Sequence, residues 1–442
     1  MTAVAPVRPA RADRLLAVVL AAMTLALVLR ADATPVAAQT PVPAQAKATA
    51  AFRAWIETLW PEARAVGVSR PTFDRAFAGV TPDLKLPDLA RRRIGPRSGQ
   101  AEFDKTPAEY LSERTLAQLT ARGRRFLAEH RQLLEAIERR MGVDRHIILA
   151  IFGRETAYGG KATGYGTFEP RHHAIRVLAT QAYLGRRKDL FRKELILALK
   201  MVQEGHVRLD AMRSSWAGAM GLGQFMPSNF YAHGVDFDGD GKRDIWRSLG
   251  DSLATTAKSL TDQGWKAGRR WGYEMRAPAR LDCRLEGPDQ ARPLADWLKL
   301  GFRRADGRSF TADERAMRTY LLMPAGGQGP AFLLHNNFLV LKTYNFADLY
   351  ALFVGHLADR IAGGKGFVQP WKRLVQLNTA ETAEMQRLLG RLGYDIGKID
   401  GKAGVRTRTI VGAYQQAHGL SRDCWPSAAV LGHLRQKVAA SR

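Results

Sequence analysis

The segment Asp144-Arg-His-Ile-Ile-Leu-Ala-Ile-Phe-Gly-Arg-Glu155 puts one carboxylate where apolar side chains belong. Asp144 is a good helix N-cap and Gly159-Gly160 a good stop, so the spacing predicts a helix from Arg145 to about Tyr158. On that helix Ile148, Ile151, Phe152 and Glu155 share a face. Burial disfavours the ionised form of a carboxyl, which is what a general acid working near neutral pH needs. A structural glutamate paired with a buried cation would give the same pattern, and helix geometry leaves both readings open.

Two further strings carry chemistry. In Ser215-Trp-Ala-Gly-Ala-Met-Gly-Leu-Gly-Gln-Phe-Met-Pro-Ser228, Gly218, Gly221 and Gly223 let backbone pass close to a ligand, and Gln224 sets a donor and an acceptor beside it. A tight loop packed for its own sake is the alternative. Tyr158, Tyr165, Phe168, Trp216 and Phe225 offer flat faces suited to sugar rings, although most of them are expected in the core. Asp236-Phe-Asp238-Gly-Asp240-Gly241-Lys242 matches the first half of a calcium loop, with carboxylates at positions 1, 3 and 5, glycine at 6 and the Lys242 backbone carbonyl at 7. Position 12 is Arg247 rather than glutamate, so the late ligand falls to Asp251, with Asp244 as a rival. The ion would be structural. A bare Asp-Gly turn is the other reading.

Taken together, Gly153-Arg-Glu155-Thr-Ala-Tyr-Gly159, the Gly218–Pro227 string, Asn337-Phe338 and Tyr344-Asn345 resemble the membrane-bound lytic transglycosylase B family, over roughly Phe52 to Gly363. The resemblance implies a mainly α protein with a lysozyme-like α+β catalytic domain and no catalytic cofactor. It implies cleavage of the β-1,4 bond between N-acetylmuramic acid and N-acetylglucosamine in peptidoglycan, ending in a 1,6-anhydro muramyl ring. It also implies Glu155 as acid and then base, with Ser215, Gln224, Phe225, Asn337 and Tyr344 lining the groove. Ordinary glycosidases use two carboxylates, with substrate-assisted enzymes as an exception. Neither core motif holds a second acid, and Glu169 and Glu194, the nearest, stand in no recognisable catalytic context. A lysozyme-type hydrolase would need that second acid, whereas a non-catalytic wall-binding protein would tolerate loss of Glu155.

Near the C-terminus, Met385 to Tyr394, Gly397-Lys-Ile-Asp400-Gly401-Lys-Ala-Gly404-Val-Arg-Thr407, Tyr414-Gln415 and His418-Gly419-Leu420 resemble a small three-helix peptidoglycan-binding domain. A helical cap on the enzyme is the alternative.

The elements that must position these residues follow from composition and punctuation. A chain of 442 residues suggests two or three domains, and 46% hydrophobic with 25% charged residues is ordinary globular material. Lys+Arg number 67 against 42 Asp+Glu, a net charge of +25 that favours polyanionic partners. Arg8, Arg11 and Arg14, the apolar run Leu15–Leu29 broken only by Thr24, and Val36-Ala37-Ala38 have the layout of a secretory signal peptide over residues 1–38. That layout predicts a periplasmic protein, or one anchored to the inner membrane if the segment stays uncleaved. No cysteine follows the run to take a lipid. Cys283 and Cys424 could pair in an exported protein, but the sequence does not show whether they meet. The expected division is a linker at 39–49, a catalytic domain at 50–364, a linker at 365–376 and a separate binding unit at 377–438. Helical patterns run over Thr115–Arg140, Phe191–Val202 and Asp251–Gln263, and the pattern weakens from Trp271 to Gly329. The expected partners are peptidoglycan strands and other cell-wall enzymes. Export and the lack of any nucleic-acid motif argue against nucleic acid, and a monomer is expected.

Overall fold

The computed structural model describes residues 43–90, 104–165, 168–279 and 282–440. The expected export segment lies outside them. Helix α1, Pro43–Glu57, begins inside the stretch expected to be a linker. The Pro, Ala and Gln that suggested a linker are also helix residues: proline fits the first turn, and alanine has the best helix propensity.

Phe52 and Ile56 of α1, with Leu59, Ala63 and Phe73 from the short helices that follow, pack into a core completed by α5 (Ala174–Leu184) and α6 (Lys188–Gln203). A second core forms around α2 (Glu113–Glu129), α3 (Arg131–Met141) and α4 (Arg145–Thr156). The single helical pattern expected over Thr115–Arg140 breaks at His130, which leaves helical geometry at φ −115° and ψ 26°. Helix α4 is buried along its whole middle, from Ile147 to Gly153, as befits a helix apolar on every side. It touches α2, α3, α8 (Leu249–Asp262) and α10 (Asp348–Ile361). Helix α7 (Pro227–His233) precedes α8, and α9 (Asn336–Tyr344) precedes α10.

The weakly patterned region from Trp271 to Gly329 is where a sheet forms. A two-stranded pair, β1 (His172–His173) and β2 (Arg213–Ser214), comes earlier in the chain. The larger sheet contains β3 (Gly272–Arg276), β4 (Arg292–Pro293), β5 (Arg303–Arg304), β6 (Arg318–Leu322) and β7 (Ala331–Leu334) in the order β4-β6-β7-β3-β5, every pairing antiparallel. Along β6 and β7, Tyr320, Leu322, Phe332 and Leu334 enter the helical core. Leu321 and Leu333 face the other way, into a core with Met275, Cys283, Trp297 and Phe302. Both faces are covered, so no polar alternation marks these strands in the sequence.

Three helices close the chain: α11 (Thr379–Arg391), α12 (Val405–Ala417) and α13 (Ala428–Ala440). They have a core of their own, built on Leu377, Met385, Leu389, Val411, Tyr414 and Leu434. Yet this unit is docked, not hung on a tether. Cys283 and Cys424 form a disulfide with Cα atoms 5.9 Å apart. Arg408 of α12 forms an ion pair with Glu286, and the two side chains are 4% and 0% exposed. Gly327 N–H donates to the Asp423 carbonyl at 2.7 Å, and Gln328 Nε2 to its carboxylate at 2.9 Å. The expected linker 365–376 has no regular element, but Phe367 and Trp371 pack on the helical core and the Glu274 carboxylate accepts Val368 and Gln369 N–H. Among the described residues no helix is long and apolar enough to cross a membrane.

Candidate active site and cation loop

Glu155 occupies the last turn of α4, half-buried. The chain reverses directly after it through Ala157 (φ 52°) and Tyr158 (φ 66°), two successive non-glycine residues in left-handed conformation. Such backbone is costly and persists only where the surroundings enforce it. Here the Tyr158 ring folds back over α4, fully buried, and its hydroxyl donates to the Leu119 carbonyl at 2.7 Å. Glycine at 153 makes this fit, since a Cβ there would lie 2.5 Å from Tyr158 Cζ.

Tyr350 of α10 donates its hydroxyl to Glu155 Oε1 at 2.5 Å. Burial, and then the neighbouring Glu155 carboxylate, push this phenol well above its ordinary range, so it stays protonated as a donor. The neighbouring Arg154 guanidinium lies 5.1 Å from the Tyr110 ring and 5.1 Å from the Phe353 ring, and donates to Tyr110 Oη at 2.8 Å. Burial works against that charge, and Tyr110 and Glu155 hold it in place.

The glycine-rich string forms a tight hairpin. Met220 and Phe225 exchange both backbone hydrogen bonds at 2.8 Å, with Gln224 between them at φ 55°. Gly221 passes so close to the chain at Ile245 that a Cβ would meet its carbonyl at 2.6 Å. Ser215 Oγ accepts Ala217 N–H at 3.3 Å and Ala219 N–H at 3.2 Å, and Gln224 Nε2 donates to the Gly221 carbonyl at 3.1 Å. Tyr344, at the end of α9, donates to the Gly223 carbonyl at 2.6 Å. Its hydroxyl is also pushed up by burial and then by the Glu155 charge. The two tyrosines thus tie the hairpin and Glu155 to the single turn that joins α9 to α10.

Two expected groove residues lie elsewhere. Phe225 is 3% exposed and packs in the core formed with α5 and α6, its ring edge-on to Tyr344 at 6.3 Å. Asn337 is 0% exposed: its Oδ1 accepts Lys266 N–H at 2.8 Å, and its Nδ2 donates to the Lys266 and Arg269 carbonyls at 2.9 and 2.8 Å. In this structure both side chains are packed into the scaffold. Ser215, Gln224 and Tyr344 are all half-buried. The candidate second acids are committed too: Glu194 caps the start of α7 through Ser228 N–H at 2.9 Å and its hydroxyl at 2.7 Å, and Glu169 pairs with Lys161 at 2.6 Å. Sequence reading missed Tyr350 and Arg154. A tyrosine inside the otherwise apolar run Leu349–Val354 was the available signal, because a buried hydroxyl needs a partner.

In the acidic loop, Asp236, Asp238 and Asp251 each bring a carboxylate oxygen within 4.8 Å of the others. Asp251 is fully buried in the first turn of α8 and accepts Phe237 N–H at 2.8 Å and Asp244 N–H at 2.7 Å, so it, not Asp244, joins the cluster. Asp240 turns instead to Lys242 N–H at 2.8 Å, outside the cluster.

Comparison with known proteins agrees with this architecture. The family described as "Transglycosylase SLT domain" matches residues 51–359, and "Putative peptidoglycan binding domain" matches residues 378–434. The membrane-bound lytic murein transglycosylase B of Escherichia coli (strain K12) is 34% identical over 128 residues, 29% of this chain and 33% of that protein, so the chain aligns with about a third of that relative's length. The crystal structures of SltB3 from Pseudomonas aeruginosa in complex with NAG-anhNAM-pentapeptide and with NAG-NAM-pentapeptide superpose with a TM-score of 0.79 at 39% identity, covering 87% of this chain and 99% of that one. Soluble lytic transglycosylase SltB1 of the same organism reaches a TM-score of 0.57 at 27% identity, over 70% of this chain and 98% of its own. With Glu155 held at the end of a buried helix and the matched domain filling most of its length, the chain belongs to the SLT transglycosylase family of enzymes and carries a peptidoglycan-binding domain behind the catalytic one.

Proposed function

We propose that this protein is a lytic transglycosylase that cuts peptidoglycan strands between N-acetylmuramic acid and N-acetylglucosamine and leaves 1,6-anhydro ends. The observation that carries the reading is the pairing of a half-buried Glu155 with the Tyr350 donor, while Glu169 and Glu194 are bound up elsewhere. In this reading one carboxyl serves both steps. Glu155 protonates the leaving glycosidic oxygen as the C1–O bond breaks, and the substrate's acetamide stabilises C1. Glu155 then takes the proton of the C6 hydroxyl, whose oxygen bonds to C1 in place of water. Ser215, Gln224 and Tyr344 border the groove, and no cofactor takes part. The anhydro ligand held by the related SltB3 fits this outcome. An envelope location follows from the substrate, with export directed by residues 1–38.

We assign Asp236, Asp238 and Asp251 as ligands for a structural calcium ion. Three carboxylates converge there, one of them wholly buried, and hard oxygen donors suit that ion. The ion would pin the start of α8 to the loop.

Mass spectrometry of muropeptides released from purified sacculi tests the reaction, because anhydro ends and hydrolysed ends differ by one water. Glu155→Gln removes both proton transfers, each worth roughly 10²–10⁴-fold, and should abolish cleavage while sacculus binding persists. Hydrolysed ends alone, or cleavage near the wild-type rate in the variant, would overturn the assignment.

A further inference from the structure

Two contacts join α4 to α10 side by side. Tyr350 and Phe353, three apart on α10, share a face of that helix and meet Glu155 and Arg154 in turn. Phe353 is 1% exposed, and Tyr110, at the end of the short helix Pro107–Tyr110, is 7% exposed. Their rings pack edge to face with centroids 6.0 Å apart, and the Arg154 guanidinium lies against both. One of its amino groups donates to Tyr110 Oη, while its Nε is buried without a hydrogen-bond partner among the described residues. Two ring faces and a phenol, rather than a carboxylate, hold this cation. An apolar side chain would bolt the two helices together at less cost, because an incompletely paired buried charge is unfavourable.

Burial opposes the Arg154 charge, and Tyr110 and then Glu155 sustain it. Such coupling is reciprocal: what the Glu155 carboxylate does for the guanidinium, the guanidinium does for the carboxylate. Acting on Glu155 are Tyr350 from α10, Tyr344 from α9 and Arg154 from its own helix, with Tyr110 behind Arg154. Burial keeps Tyr350 and Tyr344 protonated, so Arg154 is the fixed positive charge of this group. Resting on the reading of Glu155 as acid and then base, we propose that Arg154 is a positioning residue whose charge stabilises the Glu155 carboxylate formed between the two proton transfers. Burial alone would leave Glu155 a reluctant acid. A cation locked beside it by two rings and a phenol costs no reorganisation when the proton leaves. The C1–O bond then breaks with the new carboxylate already compensated, and that carboxylate remains to collect the C6 hydroxyl proton. No proton passes through Arg154, which stays charged throughout.

Titration of the Glu155 carboxyl by carbon-13 NMR, on the full chain with labelled glutamate, tests this; loss of the signal in Glu155→Gln assigns it. Arg154→Gln removes the charge and keeps a donor for Tyr110, whereas Arg154→Lys keeps the charge and loses the planar fork. The Glu155 midpoint should rise by about one pH unit in Arg154→Gln and stay within about 0.3 of wild type in Arg154→Lys. The alkaline limb of kcat/KM on sacculi should move with it, and kcat in the glutamine variant should fall roughly three- to tenfold with little change in KM. A purely structural arginine predicts otherwise: both variants lose melting temperature alike while midpoint and limb stay in place. An unmoved midpoint in Arg154→Gln, or equal shifts in the two variants, overturns the proposal. Arg154→Met, which keeps the aliphatic stem without a polar head, takes the place of the glutamine variant should that one not fold. If the wild-type protein cleaves no glycan, the transglycosylase reading has failed, and the NMR midpoints still decide the role of Arg154 separately.

Discussion

Replacing Arg408 by methionine should expose how strongly the small domain is joined to the enzyme. Arg408 gives Glu286 a two-pronged contact, including Nε to Oε2 at 3.1 Å, and donates to the Ala403 carbonyl at 2.7 Å. Glu286 also accepts Met323 N–H at 2.9 Å. Both side chains are essentially out of water, so the variant strands a buried carboxylate with one backbone donor, at a cost of about 3–5 kcal/mol. If residues 52–440 melt as one unit, the unfolding entropy is about 0.8 kcal/mol/K, and the melting temperature should fall by about 4–6 °C. If the small domain melted alone, about 62 residues would carry about 0.13 kcal/mol/K, and the same loss would move its transition by more than about 20 °C. Differential scanning calorimetry separates the cases: one peak shifted by a few degrees, or a new low-temperature transition. Adding Glu286→Gln removes the stranded charge while keeping an acceptor for Met323, and should restore at least half of the loss. A single variant within 1 °C of wild type, or a double variant no better than the single, would refute the claim that this pair couples the two domains.

Three further outcomes are expected. Tyr350→Phe removes the donor on Glu155, a hydrogen bond to a charged group worth about 1.5–3 kcal/mol, and should lower kcat by roughly 10–100-fold with little change in KM; a larger effect on KM than on kcat would contradict a role on the carboxylate. His335 and His356 are held neutral by burial and then by nearby arginines, with pKa values lowered from 6.5 to about 4 and about 3. Between those values and 6.5 the unfolded chain binds more protons than the folded one, so the melting temperature should fall as pH drops below about 6.5; a His335→Gln/His356→Gln protein with an equally steep pH dependence would count against this. Calcium added to metal-stripped protein should raise the melting temperature by mass action, a chelator should reverse the rise, and Asp238→Ala should remove the response without abolishing cleavage; a calcium-independent melting curve in the unmutated protein would dismiss the site.

Helix α4 was legible in the sequence because its signals are local: the Asp144 cap accepts His146 N–H at 2.7 Å, and the apolar run from Ile147 leads to Glu155 within one helix. The convergence of Asp251 with Asp236 and Asp238 was legible for the same reason, since sixteen residues of loop and helix start carry all three. What escaped depends on side chains meeting across long separations. Tyr350 lies 195 residues from the carboxylate it serves, and its own helix signals only that a buried hydroxyl needs a partner, not which one. Phe225 and Asn337 were placed in the groove by resemblance, yet burial is a property of the packed whole: a phenylalanine beside an open glycine hairpin can turn inward, and here the space over Gly223 lets it. The docking of the small domain was hidden most deeply. Its joints, Cys283 with Cys424 and Glu286 with Arg408, are single residues 141 and 122 positions apart, and their sequence surroundings look like a loop and a helix face. A helix bearing arginine ordinarily turns it to water. That α12 buries Arg408 against Glu286 is what converts a module that could have been tethered into one wall of a cavity shared with the catalytic domain.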